Sequence, residues 1–187
     1  SVGYQSNSCF VFEQVYVADG VPMEGLYVDR NGDGTVTPDD MYRYKNARPD
    51  ATLGFYTGLN LGHFDFSVGA RAVIGNYVYN NNRANQGVVG NIYNGGGGGD
   101  GYLLNVHADA EAIDFNNNQY FSDHYVQDAS FLRIDHITAG YDFGTIGSAI
   151  QSLRLYATVQ NPLLITGYDG IDPEIAVRDF TTNNVTI

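Results

Sequence analysis

Lysine is almost missing from this chain. Lys45 is the only one among 187 residues, and nine Lys and Arg in total face 21 Asp and Glu, for a net charge of −12. A phosphate backbone is gripped by clustered cations, so nucleic acid is excluded as a partner and polyanions are disfavoured. Cysteine is nearly absent as well: Cys9 stands alone, which rules out an internal disulfide and a cysteine-based metal cluster. No secretory leader opens the sequence, and no run of eighteen apolar residues is available for a membrane-spanning helix. A membrane is not thereby excluded, because barrel strands alternate between lipid and water and carry a much weaker signal.

What is present is a strand-and-loop vocabulary. Charged residues make up only 16%, while Gly 23, Tyr 15, Phe 10 and many asparagines favour strands joined by long polar loops. The length suits one ordinary domain.

One motif stands out. Asp29-Arg30-Asn31-Gly32-Asp33-Gly34-Thr35-Val36-Thr37-Pro38-Asp39-Asp40 reads as a calcium loop. A hard cation takes six to eight oxygens, and side chains at positions 1, 3 and 5 converge only if the chain turns sharply behind them, which is the place of Gly34. Asp29, Asn31 and Asp33 supply side-chain oxygens in this reading, Thr35 its carbonyl, Thr37 a hydroxyl or bridged water, and Asp40 the twelfth-position carboxylate. That position holds Asp where an EF-hand has Glu, so its reach is shorter. Thr37, Pro38, Asp39 and Asp40 also predict a short helix through Met41-Tyr42-Arg43-Tyr44, stopped by Asn46 and Pro49. The same Asp, Asn and Gly residues also build metal-free turns.

Elsewhere the period is two. Leu53, Phe55, Leu59 and Leu61 share one face of a strand over 52–62; His63 marks a tight reversal; Phe64, Phe66, Val68, Ala70, Ala72 and Ile74 then alternate with Asp65, Ser67, Gly69 and Arg71. A second hairpin places Ile137, Ala139, Tyr141 and Phe143 opposite Thr138, Gly140 and Asp142, turns across 144–152, and continues with Leu153, Leu155, Ala157 and Val159 until Asn161-Pro162 breaks the ladder. Phe10 to Val17 is rich in strand formers, and Asp19 to Pro22 is a turn. The stretch from Asn80 to Asp128 reads as loop, with Gly95 to Gly99 a flexible spacer rather than a phosphate cradle. Short turns thus alternate with long loops at 19–49, 80–128 and from 167 onward, the asymmetry of an outer-membrane barrel.

The wording of several stretches is also familiar. Asp29 to Gly34, Ala129-Ser130-Phe131-Leu132-Arg133 running to Gly140-Tyr141, Leu153-Arg154-Leu155-Tyr156, Gln160-Asn161, and Tyr168-Asp169-Gly170-Ile171-Asp172-Pro173-Glu174 together resemble the C-terminal barrel region of the SusC/RagA family of TonB-dependent outer-membrane transporters from Bacteroidetes. Pro162-Leu163-Leu164 departs from the family, and no final aromatic-ended strand, plug domain, TonB box or early barrel strands are matched. The resemblance implies an all-β fold: an antiparallel transmembrane β-barrel segment of about four to five strands, with short periplasmic turns and long extracellular loops. The resemblance covers nearly the whole chain from about Gly20 and makes residues 1–187, with a calcium-loop insertion at 29–40, a fragment of a larger barrel, since so few strands cannot close one and open edges in hydrocarbon leave backbone groups unpaired. It also implies an importer of glycans or peptides, a SusD-like surface lipoprotein as partner, the TonB complex acting through a plug, and no catalytic step. The competing expectation is a secreted β-sandwich that binds carbohydrate or protein and carries a dockerin-like calcium loop.

Other chemistry is sparse. His63, His107, His124 and His136 lack metal-ligand spacing. Asp169, Asp172 and Glu174 could pair for glycosidic cleavage but fit a polar turn better. Tyr77, Tyr79, Tyr93 and Tyr102 could stack on sugars, or serve as girdle and loop packing, the better fit. Arg71, Arg133 and Arg154 fit a polar lumen, paired with carboxylates such as Asp65 or Asp135.

Overall fold

The computed structural model describes residues 8–93, 103, 105–148 and 150–174; the glycine run at 95–99, Tyr102 and residues 175–187 lie outside them. In chain order the elements are β1 (Ser8–Val11), β2 (Gln14–Tyr16), β3 (Pro22–Tyr27), β4 (Tyr42–Asn46), β5 (Ala51–Leu61), β6 (Phe64–Ile74), β7 (Tyr77–Tyr79), α1 (Asn81–Gln86), α2 (Ala110–Ile113), β8 (Val126–Asp128), β9 (Phe131–Ile146) and β10 (Ile150–Thr166). They form two compact units: one holds residues 49–76 and 129–167, the other the described parts of 1–48, 77–128 and 168–187.

The first unit is a four-stranded antiparallel sheet in the order β10-β9-β6-β5. Its strands are long, with 11 residues in β5 and in β6, 16 in β9 and 17 in β10. Soluble strands usually have about five or six residues, whereas a tilted membrane strand needs about 9–11. Alternation sorts the side chains by face, and the ladder carries the sorting across the sheet. Leu53 faces Ala72, Phe55 faces Ala70 and Leu59 faces Phe66; Phe66 then faces Ala139 and Ala139 faces Ala157. Among the described residues of this unit no second layer covers that apolar face. Phe55 is 62% exposed, Leu61 63% and Phe64 64%, so these rings are not core residues in the soluble-protein sense.

Two bulges lie at one level. His136 pairs with Gly69 and Ile134 with Ala70, which leaves Asp135 as an extra residue on β9; Gln160 and Leu163 pair with His136 and Ile134, which sets Asn161 and Pro162 against Asp135 alone. Each bulge bends the strand and changes which residues share a face. Asn161-Pro162 therefore does not end the ladder as expected. β10 runs on to Thr166, with Asn161 at φ +49 and the N–H-less Pro162 accommodated by the irregularity. Likewise the turn expected over 144–152 is shorter, because β9 continues through Ile146 and β10 starts at Ile150. The reversal at His63 is where it was expected, closed by Gly62 at φ +60.

The second unit has short strand pairs, β1 with β4, β2 with β3 and β7 with β8, around buried Cys9, Val11, Val78, Ala84, Val88, Phe115 and Tyr125. The predicted helix after Asp40 is absent. A single 3₁₀ turn, Pro38–Asp40, gives way to β4, because Tyr42-Arg43-Tyr44-Lys45 alternates and finds a strand partner in β1, with Val11 opposite Tyr42. The span 80–128, expected as loop, contains α1, capped by Asn80 accepting from Arg83 N at 2.9 Å, and α2.

Gln14 ties this unit together. Its amide donates to the carbonyls of Met23 at 2.6 Å and Leu26 at 3.1 Å, and its oxygen accepts from the Ser122 hydroxyl at 2.7 Å. Gln14→Ala would strand these groups at about 1–3 kcal/mol of local stability. Amide hydrogen exchange should quicken in β2, β3 and around Ser122, and leave β5 and β6 unchanged. Uniform exchange in the variant and the parent would contradict this role.

Candidate functional site

The Asp29–Asp40 loop is closed by its own backbone. Asp29 accepts from the N–H groups of Gly32 at 2.7 Å and Gly34 at 2.8 Å; Asn31 Oδ1 accepts from Asp33 N at 2.8 Å; Asp33 Oδ1 accepts from Thr35 N at 2.8 Å and from its hydroxyl at 2.9 Å. The turn needs glycines, since Gly32 and Gly34 lie at φ +75 and +87. Asp40 is buried and accepts from Arg30 N at 2.9 Å, Asn31 N at 3.1 Å and Thr37 N at 2.8 Å, while Thr37 caps Asp39 N at 3.3 Å. Arg30 pairs with Glu13 and lies 4.3 Å from the Tyr42 ring centre, which fastens the loop to the strands beside it. The expected ligands Asp29, Asn31 and Asp33 therefore curl into one turn with Gly34 behind them, and Thr35, Thr37 and Asp40 complete its frame. Among the described residues, no group of three or more His, Cys, Asp or Glu stands close enough to hold a metal ion.

The polar face of the sheet forms a second arrangement. Arg154 on β10 reaches across β9 to Asp65 on β6 with two parallel bonds, Nε to Oδ1 at 3.1 Å and Nη2 to Oδ2 at 2.7 Å. Gly140 makes this possible, because a Cβ there would lie 2.5 Å from Asp65 Oδ1. Gly69 does the same for His136, whose ring lies over it and 6.1 Å from the Tyr56 ring. Arg71 pairs with Asp135 at 3.1 Å, and Thr138 and Thr158 bond at 2.9 Å. Of the three arginines expected to meet carboxylates, Arg154 and Arg71 thus pair with Asp65 and Asp135, and Arg133 lies 5.6 Å from the centre of the Phe131 ring.

The remaining candidates are structural in their surroundings. His63 lies against Tyr141, and His107 sits 3.7 Å from an Asp109 that also pairs with Arg83. His124 bonds to the Tyr16 hydroxyl at 3.3 Å, and burial, with Arg83 nearby, pushes it down to about 4. Asp169 accepts from Gln127 at 3.3 Å, and Asp172 caps Glu174 N at 2.8 Å. Tyr79 takes up the Phe121 N–H at 3.1 Å, Tyr77 lies under Lys45 at 4.7 Å, and Tyr93 ends the 3₁₀ segment Val89–Tyr93.

Sequence reasoning missed the polar joints that hold the loop unit. Glu24 accepts from Asn117 N at 2.7 Å and Nδ2 at 2.8 Å, and Gln119 accepts from Gly25 N at 2.7 Å. Asp123 accepts from Gln14 N at 3.0 Å and from the Tyr42 hydroxyl at 2.8 Å. Partners some eighty or more residues apart leave no local signature.

The chain is similar to the TonB-dependent receptor SusC of Bacteroides thetaiotaomicron, 40% identical over 182 residues that cover 93% of this chain and 18% of that receptor. It is 26% identical to the TonB-dependent receptor P3 of Formosa agariphila over 166 residues, 86% of this chain and 16% of that one. The RagAB peptide importer in its open-open state matches the fold with a TM-score of 0.63 at 22% identity, over 93% of this chain and 20% of that one; the closed-closed state gives 0.59 at 21%, over 88% and 20%. This chain spans about a fifth of the length of these relatives. No family model matches the sequence.

The carboxyls of Asp33 and Asp40 are held below the usual range, first by the N–H groups of Thr35 and Thr37 respectively. A carboxylate with a depressed folded-state pKa stabilises the loop above its unfolded value, about 4, and that contribution fades as pH falls through the lower folded value. Protection of the Arg30, Asn31, Thr35 and Thr37 amides, corrected for intrinsic exchange, should hold from neutral pH to about 4 and fall below it. Loss of protection already near neutral pH would refute this.

Proposed function

Because the chain belongs to the SusC/RagA family of TonB-dependent receptors and has the fold of an all-β barrel segment, we propose that it supplies wall and loops to an outer-membrane importer of glycans or peptides. One observation carries this reading: a single-layer sheet whose strands are long enough to span a bilayer, with bare apolar side chains on one face and ion pairs on the other. Lipid suits the first face and a watery lumen the second. The described helices are all too short and polar to cross a membrane, so strands alone would do so. In this reading the rest of the barrel pairs with β5 and β10, the short reversals after Leu61 and after Ile146 face the periplasm, and the long connections 19–49 and 80–128 are extracellular loops that meet a SusD-like lipoprotein. TonB would act through a plug outside these residues, and no catalytic step is required of them. A sandwich module would instead need a second sheet against the apolar face.

Phe55 and Tyr56 are adjacent in β5 and face opposite ways, so they separate the two sides. In the full-length receptor, Phe55→Arg should cost about 2–4 kcal/mol near the bilayer centre, while Tyr56→Arg should cost far less. Heat-modifiable migration of outer-membrane fractions measures the folded share. Equal tolerance of both, or greater damage from Tyr56→Arg, would overturn the assignment.

We also propose that the Asp29–Asp40 loop takes calcium as a structural ion. Its support is the ligand spacing together with the turn formed by Asp29 and Gly34. Binding would draw Asp29, Asp33 and Asp40 closer than they stand here. The intact receptor should then contain calcium that Asp33→Ala removes, and EDTA should speed proteolysis within 29–40. A calcium-free receptor whose cleavage ignores EDTA would exclude the ion.

A further inference from the structure

We propose that Asn31 is a site of spontaneous covalent modification: the loop is arranged to convert it to aspartate or isoaspartate by attack of the Gly32 backbone nitrogen. Asn31 and Gly32 are both exposed, and glycine puts no Cβ beside the attacking nitrogen. The groups needed for the reaction already hold the reacting atoms. Asp29 Oδ1 accepts the Gly32 N–H at 2.7 Å and stands ready to take its proton. The Asp33 N–H donates to Asn31 Oδ1 at 2.8 Å, where negative charge develops when the carbonyl is attacked, which is the role of an oxyanion donor. Asn31 Nδ2 donates to Asp33 Oδ2 at 3.0 Å, so the side-chain amide is fixed at both ends. Nucleophile and electrophile belong to neighbouring residues, and no distant segment has to move.

The steps balance with water as the only co-reactant. Gly32 N forms a bond to Asn31 Cγ as its proton passes to Asp29. The tetrahedral oxyanion collapses, the Cγ–Nδ2 bond breaks, and ammonia leaves with the proton returned by Asp29. Water then opens the five-membered imide at either carbonyl. One opening gives aspartate, which places a third carboxylate beside Asp29 and Asp33; the other gives isoaspartate, which adds a methylene to the main chain and removes the turn that Asp33 N makes with Asn31. Either product changes the charge or path of a loop that the six backbone N–H groups of residues 30–35 now hold in place. The inference does not depend on the transport reading or on calcium.

Peptide mapping of the intact receptor, incubated with EDTA at neutral pH and 37 °C so that no calcium occupies the loop, tests it. Conversion at Asn31 should run about tenfold or more faster in the native protein than in the same protein in denaturant, a modest share of what positioned proton transfer supplies. Asp29→Asn should bring the native rate down to the denatured one. A native rate equal to or below the denatured rate would overturn the proposal, and so would an unaltered rate in Asp29→Asn. The native-to-denatured comparison needs no variant, so it stands even if Asp29→Asn disturbs the loop.

Discussion

The structure depends on the backbone ladder of its long strands. In the sheet of β5, β6, β9 and β10 there is no packed interior, so main-chain hydrogen bonds and cross-strand side-chain pairs hold what a core would otherwise hold. In hydrocarbon an unpaired N–H or carbonyl costs several kcal/mol, which forces each spanning strand to be paired on both edges. Within the described residues β5 and β10 have one strand neighbour each, and the rest of a barrel is the natural source of the second.

Because the ladder fixes the register, the side chains can divide labour by face. The apolar face holds aromatic and branched residues whose exposure would be unfavourable in water but suits lipid. On the other face, small residues let large polar groups lie flat against the wall. Gly140 lets Asp65 meet Arg154 across an intervening strand, and Gly69 receives the His136 ring. Exposed ion pairs of this kind contribute about 0–1 kcal/mol each; they set the character of the surface more than the stability of the sheet.

The loop unit follows another rule. Its apolar core is small, and much of its order comes from side chains that answer backbone groups far away in sequence. Gln14 with Ser122, Glu24 with Asn117 and Asp123 with Tyr42 each join segments at least eighty residues apart. A buried polar group without such a partner costs about 1–3 kcal/mol, so these joints are specific in a way that apolar contacts are not. The calcium-like loop is built on the same plan at short range, with every turn N–H answered by an Asp or Asn.

The sequence by itself determined the strands that face two solvents. Alternation over 52–61 and 64–74 fitted a barrel wall or a sandwich strand, but in either case it fixed the strands, the reversal at His63, the facing of Ile137 to Phe143 and the side on which Arg71 and Arg154 would meet carboxylates. The turn residues of 29–34 were legible because their hydrogen bonds stay within a few positions. Tertiary structure alone decided the rest. Met41 to Tyr44 carried a helix start from Thr37 and Pro38, but β1 offered a strand partner that no local pattern reveals, and β4 formed instead. Asn161-Pro162 looked like an end to the ladder, yet the extra residue at Asp135 shifted the register of β9 and made room for a bulge. The joints of Gln14 and Glu24 were invisible for the same reason: periodicity records which solvent a residue meets, while the partner of a distant polar group is settled only when the chain has folded.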